Sequence, residues 1–166
     1  LLARAERPLI LAGGGIHISE AYAALQSFSE AYGIPVAHTM SGKGAIACSH
    51  PHSAGLFGRY DRIANDLIAA SDCLLVVGCK LGEIATKRFS LIPGDKPIIH
   101  VEICPEEIGR TTRTTVALAG DARLTLNDLA AALGAGTSAA ARRAEYLAEL
   151  PKRMAEWRRG AADRLE

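Results

Sequence analysis

The sequence has no excess of charge, no long apolar run and no paired cysteines, and each absence excludes a class of function. Nineteen basic residues stand against 18 acidic ones, for a net charge of +1. That balance gives no electrostatic case for nucleic acid or a membrane surface as partner. No apolar stretch approaches the roughly 20 residues of a membrane-spanning helix, and no secretory leader is recognisable. The four cysteines, Cys48, Cys73, Cys79 and Cys104, form no CxxC pair, which removes the common zinc and dithiol signatures. Three of them sit in or beside apolar strand-like runs, so buried, reduced thiols are expected. Reduced thiols in turn point to a cytoplasmic protein.

Two nucleotide fingerprints are also missing. A GxGxxG motif starting at Gly13 would need glycine at Ile18, and after the second strand the chain reads His38-Thr39-Met40, with no acidic residue for a ribose. Gly42-Lys43 is followed by Gly44 instead of serine or threonine, and Ala37 stands where a P-loop has its first glycine. His50-Pro51-His52 is a metal pair by spacing, but no acidic or cysteine ligand set lies beside it, which favours a loop role. His17, His38 and His100 are dispersed, with no nucleophile in a recognisable motif beside them.

What is present is an α/β pattern. At 166 residues, 49% hydrophobic and 22% charged, the chain has the size and composition of one globular domain. Apolar runs at Pro8–Ala12, Ile34–His38, Cys73–Val77, Ile98–Ile103 and Thr115–Ala119 read as strands. Helical patterns fall at about 20–32, with Ser19 as N-cap and Gly33 as stop, at Arg62–Ala70, and at Ala122–Leu133. Pro105 opens a short helix. The Gly-, Ser- and His-rich segment 41–62 reads as a long loop of the functional kind. The strands are apolar at nearly every position, which calls for burial on both faces. The expected architecture is a doubly wound, mostly parallel, six-stranded Rossmann-like sheet with helices on both faces. Residues 1–134 form this domain, and 135–166 form a helical tail or linker. The tail helix, expected over 139–165, carries Leu147, Leu150, Met154, Trp157 and Ala161 on one stripe, with Pro151 kinking or restarting it.

In such sheets ligands bind at the carboxyl ends of the strands. Four of those ends carry glycine or small polar residues: Gly13-Gly14-Gly15, Thr39-Met40-Ser41-Gly42, Gly78-Cys79-Lys80 and Gly120-Asp121. Glycine lets backbone N–H groups approach a phosphate closely. Lys43 and Lys80 are cations suited to contact one. Tight turns alone would require the same glycines, so both readings stand at this level.

The ordered stretches RPLILAGGG, GIPVAHTMSGKGAI, HPHSAGLFG, LLVVGCKLGE, PIIHVEICPEEIGR and LAGDARLTL together resemble the central domain of thiamine-diphosphate-dependent enzymes, in particular the acetolactate synthase (acetohydroxyacid synthase) large-subunit group. The resemblance runs from about Arg7 to Leu133. It implies a longer parent, a transferase or lyase of 2-oxo acids serving branched-chain amino acid biosynthesis and assembled as a homodimer or homotetramer. There, flanking N- and C-terminal catalytic domains hold thiamine diphosphate and Mg²⁺. A start on Leu1 instead of methionine fits a piece of such a parent. The resemblance also implies FAD or ADP in this domain, with no catalytic residue on it. Gly13, Gly14 and Gly15 would face diphosphate or ribose, and Thr39 and Met40 would flank the nucleotide. Phe57, Gly58, Arg59 and Tyr60 would border a flavin, and Gly78, Cys79 and Lys80 would follow the diphosphate. Glu102 and Ile103 would meet the adenosine end, and Asp121 the adenine. Flavin-holding relatives usually carry arginine at Lys80, aspartate at Gly82 and arginine at Ile84, so this chain departs from them at three positions. A free-standing nucleotide-binding or regulatory module without catalytic activity is the second reading of the same loops.

Overall fold

The computed structural model describes residues 1–60 and 62–162. Six strands form one sheet: β1 (Pro8–Ala12), β2 (Val36–His38), β3 (Ser53–Leu56), β4 (Cys73–Val77), β5 (Ile98–Glu102) and β6 (Val116–Ala119). Their order is β3-β2-β1-β4-β5-β6, and every neighbouring pair is parallel. This is the doubly wound order, with its topological switch between β1 and β4. The helices are α1 (Gly15–Ile18), α2 (Tyr22–Tyr32), α3 (Ile63–Ala70), α4 (Ala122–Leu133), α5 (Thr137–Arg142) and α6 (Ala144–Ala162). Among the described residues no helix is long and apolar enough to cross a membrane.

The period-two alternation of the central strands divides the core in two. Ile10, Ala12, Leu75, Val77, Ile99 and Val101 face Leu25, Phe28 and Tyr32 of α2 and Leu126 of α4. Leu9, Leu11, Leu74, Val76 and Ile98 face Leu67 and Ile68 of α3 and Leu150 and Met154 of α6. Adjacent residues of one strand thus belong to opposite layers, which is why β1 and β4 are apolar throughout.

The fold follows the expected class, with local corrections. Segment 41–62 is not all loop, because it contains β3, the edge strand beside β2. β2 starts at Val36, and the Pro35 carbonyl accepts the Ile10 N–H. α2 begins after Ala21, not Ser19. Ser19 instead ends the extra short helix α1, and its Oγ accepts the Arg123 N–H at 2.9 Å, pinning the start of α4. Gly33 stops α2 in the left-handed conformation, as expected. Pro105 opens a single 3₁₀ turn, Pro105–Glu107.

The tail is two helices broken at Arg143, and α6 continues through Pro151 instead of restarting there. Residues 163–165 of the expected tail helix lie outside the described residues. All four cysteines are free. Of the three beside strands, Cys73 and Cys79 are buried as expected and Cys104 is half-buried; Cys48, in the 41–52 loop, is exposed.

Candidate functional site

The strand-end loops converge on one cavity of about 900 Å³, over the carboxyl ends of the sheet and across the switch between β1 and β4. Its size is in the upper part of the range for small-molecule and cofactor pockets, about 300–1,000 Å³. Gly13, Gly14, Gly15, Thr39, Met40, Phe57, Arg59, Tyr60, Gly78, Cys79, Lys80, Glu102, Ile103 and Asp121 all line it. Gly58 does not. It packs under the turn at 82–86, where a β-carbon would come within 2.9 Å of the Ala85 carbonyl oxygen. Lys43 is also absent from the lining.

The floor is built from backbone. The Gly13 N–H donates to the Val77 carbonyl and the Gly15 N–H to the Gly78 carbonyl, both at 3.0 Å. A β-carbon on Gly13 would lie 2.1 Å from the Gly78 oxygen, and one on Gly15 2.6 Å from the Gly78 Cα. These glycines therefore let the β1 and β4 loops interlock. On the next strand His100, fully buried, donates through Nε2 to the Cys79 carbonyl at 2.9 Å and fixes that loop from beneath. Burial holds its imidazole below the ordinary value of 6.5.

The walls carry the polar chemistry. Glu102 is buried, and one of its carboxylate oxygens accepts the N–H groups of Ile103 and Cys104 at 3.0 and 3.3 Å. The second oxygen suits a hydroxyl of a ligand. Asp121 caps α4 by accepting the Leu124 N–H at 3.0 Å, which lowers its pKa. Lys80 reaches Glu107 at 3.4 Å. The Thr39 hydroxyl accepts the Gly42 N–H at 3.0 Å and so shapes its own turn. Asn65 holds the 58–60 turn: its Oδ1 accepts from the Gly58 N–H at 2.8 Å, and its Nδ2 donates to the carbonyls of Gly58 and Tyr60.

The mouth is apolar and strained. Ile18, Met40, Tyr60, Ile84 and Ile103 line the cavity yet remain exposed, a clustering that marks a contact surface. Tyr60 and Leu81 have φ of +64° and +50°, conformations that non-glycine residues adopt at a cost, typically at functional sites.

Sequence reasoning missed Arg62, Leu81, Glu83 and Ile18 as lining residues. Recognising β3 would have exposed Arg62, because it ends the loop after that strand. The His50-Pro51-His52 segment is tied into its surroundings, His50 to Glu30 and His52 to the Ser29 hydroxyl, each at 2.9 Å.

Comparison with known proteins gives one answer. Residues 1–129 match the family model for the thiamine pyrophosphate enzyme central domain. The probable acetolactate synthase large subunit of Methanocaldococcus jannaschii is 39% identical over 134 residues, 80% of this chain and 23% of that protein. The acetolactate synthase isozyme 2 large subunit of Escherichia coli is 31% identical over 122 residues, 73% of this chain and 22% of that protein. Acetolactate synthase of Mycobacterium leprae is 32% identical over 136 residues, 80% of this chain and 21% of that protein. The chain thus spans less than a quarter of the length of the curated relatives it matches. With its doubly wound sheet and the switch-point cavity, the chain belongs to the central-domain family of thiamine pyrophosphate enzymes.

Proposed function

We propose that this domain serves an acetolactate synthase-like carboligase or decarboxylase of 2-oxo acids, binding FAD or ADP in its cavity and spacing the catalytic domains of a larger cytoplasmic homodimer or homotetramer. The observation that carries the nucleotide assignment is the composition of the cavity wall: interlocked backbone at the switch point, the Glu102 carboxylate held through one of its oxygens, cations at Arg59, Arg62 and Lys80, and an exposed apolar rim. The residues fit a nucleotide. Glu102 takes ribose hydroxyls, the Gly13–Gly15 and Gly78–Lys80 loops flank the diphosphate, and Met40, Tyr60 and Ile84 cover a flat ring.

Thiamine diphosphate and Mg²⁺ belong to the parent enzyme in this reading, and they supply its carbanion chemistry. The residues here do not fit them. Of the two Gly-Asp pairs, Gly120-Asp121 uses its carboxylate to cap α4, and Gly94-Asp95 lies outside the cavity lining.

The test is a titration of the chain with FAD, followed by flavin fluorescence, with ADP as competitor. Saturable binding reversed by ADP is the expected result. Failure of both nucleotides to bind at high micromolar concentration would remove the nucleotide site from the proposal.

A further inference from the structure

Arg62 is the residue immediately before α3, and three observations distinguish it from the other cations of the molecule. It lines the cavity. Its Nε is buried and has no hydrogen-bond partner among the described residues. Its guanidinium stands 5.2 Å from the centroid of the Trp157 ring on α6. An arginine stacked by its face keeps the N–H groups of its edge available for a planar or tetrahedral anion. The Nε is closed off from the cavity, so the edge of Arg62 that can meet an anion is its pair of terminal nitrogens.

The charges around Arg62 supply a direction. Lys80 already has Glu107 at 3.4 Å, and Glu83 has Arg88 at 4.0 Å. Arg59 and Arg62 sit on the β3–α3 side of the cavity, whereas Glu102 and Asp121 sit at the ends of β5 and β6. A ligand with hydroxyls at one end and negative charge at the other fits this gradient in one orientation only.

We propose that Arg62, stacked on Trp157, is the anion-binding side chain of the cavity and contacts the terminal phosphate of a nucleoside diphosphate. This rests on the reading of the cavity as a nucleotide site. A second consequence is that ligand occupancy is linked to α6, because the ring that positions Arg62 belongs to that helix.

The experiment is calorimetric titration of the 166-residue chain with ADP, adenosine and inorganic pyrophosphate, for wild type, Arg62→Gln and Arg62→Lys. Urea midpoints control for folding. ADP affinity should fall about ten- to hundredfold in Arg62→Gln, the range for a lost charged hydrogen bond. Adenosine affinity should be unchanged, and Arg62→Lys should fall between. Trp157 is the single tryptophan, so its emission should respond to ADP in the wild type and not in Arg62→Gln. Equal ADP affinity in wild type and Arg62→Gln, or an equal loss of adenosine binding, overturns the assignment. A wild type that binds pyrophosphate through Arg62 but no nucleotide would retain the anion role and remove the nucleotide reading. Binding of neither overturns both.

Discussion

At the interlock of Gly13, Gly15 and Gly78 the deciding feature is the space left by an absent side chain. A methyl on Gly13 would strike backbone at 2.1 Å and Cys79 atoms at 2.5 and 2.7 Å, and backbone cannot turn aside as a flexible side chain can. Gly13→Ala should therefore destabilise the fold by at least about 1–3 kcal/mol, the usual cost of overpacking. Gly14 is different, because its nearest contact would be the Ser41 Cβ at 3.3 Å, a small exposed side chain that can give. Gly14→Ala should shift stability by less than about 0.5 kcal/mol. Urea midpoints of the two variants check this, and equal midpoints would defeat the interlock account. The sequence showed three glycines at a strand end but not which of them the fold requires. The atoms they meet lie some 65 positions along the chain, where no local pattern records them.

At the level of elements, the junction of α5 and α6 is held by a buried cation whose hydrogen-bond partners among the described residues are all carbonyls. Arg143, 1% exposed, donates to the carbonyls of Leu2 and Ala5 in the N-terminal turn and of Tyr32 at the end of α2, over 2.6 to 3.0 Å. Arg142 adds a bond to the Ala3 carbonyl at 2.7 Å. One guanidinium thereby fixes the tail's exit, the chain's entry and a helix C-terminus, where a cation also opposes the helix dipole. Arg143→Met, which keeps the aliphatic stem but leaves these carbonyls without their donor, should cost about 2–3 kcal/mol. Arg143→Lys should recover only part of that, since an ammonium cannot span the same fork. The midpoint of thermal or urea unfolding measures both. In the sequence, this arginine is one charge in an alanine-rich run, and the break beside it was invisible. The apolar spacing of Leu150 and Met154 was legible, and both are core residues. β3 was not, because four residues with a serine and a glycine give too short a signal to separate from loop. Since β3 delivers the 57–60 loop and Arg62, missing it left Arg62 unassigned, although the family resemblance reached Phe57, Arg59 and Tyr60 on the same wall.

For the whole molecule, three histidines set an acid limit on stability. Burial is the first cause holding His38, His52 and His100 below the ordinary imidazole value of 6.5. His38 also faces Lys43 and His17, and His52 faces His50, with Glu30 opposing; His100 is opposed by Glu102 and Glu107. In the unfolded chain these rings protonate near 6.5, whereas in the fold they do so only at lower pH. Their contribution to stability is therefore complete above 6.5 and is lost as the pH falls towards the folded-state values. Each ring contributes a slope of at most about 1.4 kcal/mol per pH unit. The alkaline side mirrors this. Burial raises the thiols of Cys73 and Cys79 from 9.0 to about 11, so the unfolded chain ionises first and stability declines above pH 9. Between these limits the urea midpoint should be nearly flat. Lowering the pH from 7 to 5.5 should reduce it, and His100→Gln should make that decline shallower, since glutamine retains a donor for the Cys79 carbonyl and does not titrate. An unchanged acid slope in His100→Gln would assign the limit to His38 and His52 instead, and a flat profile down to pH 5 would remove the buried histidines from the account altogether.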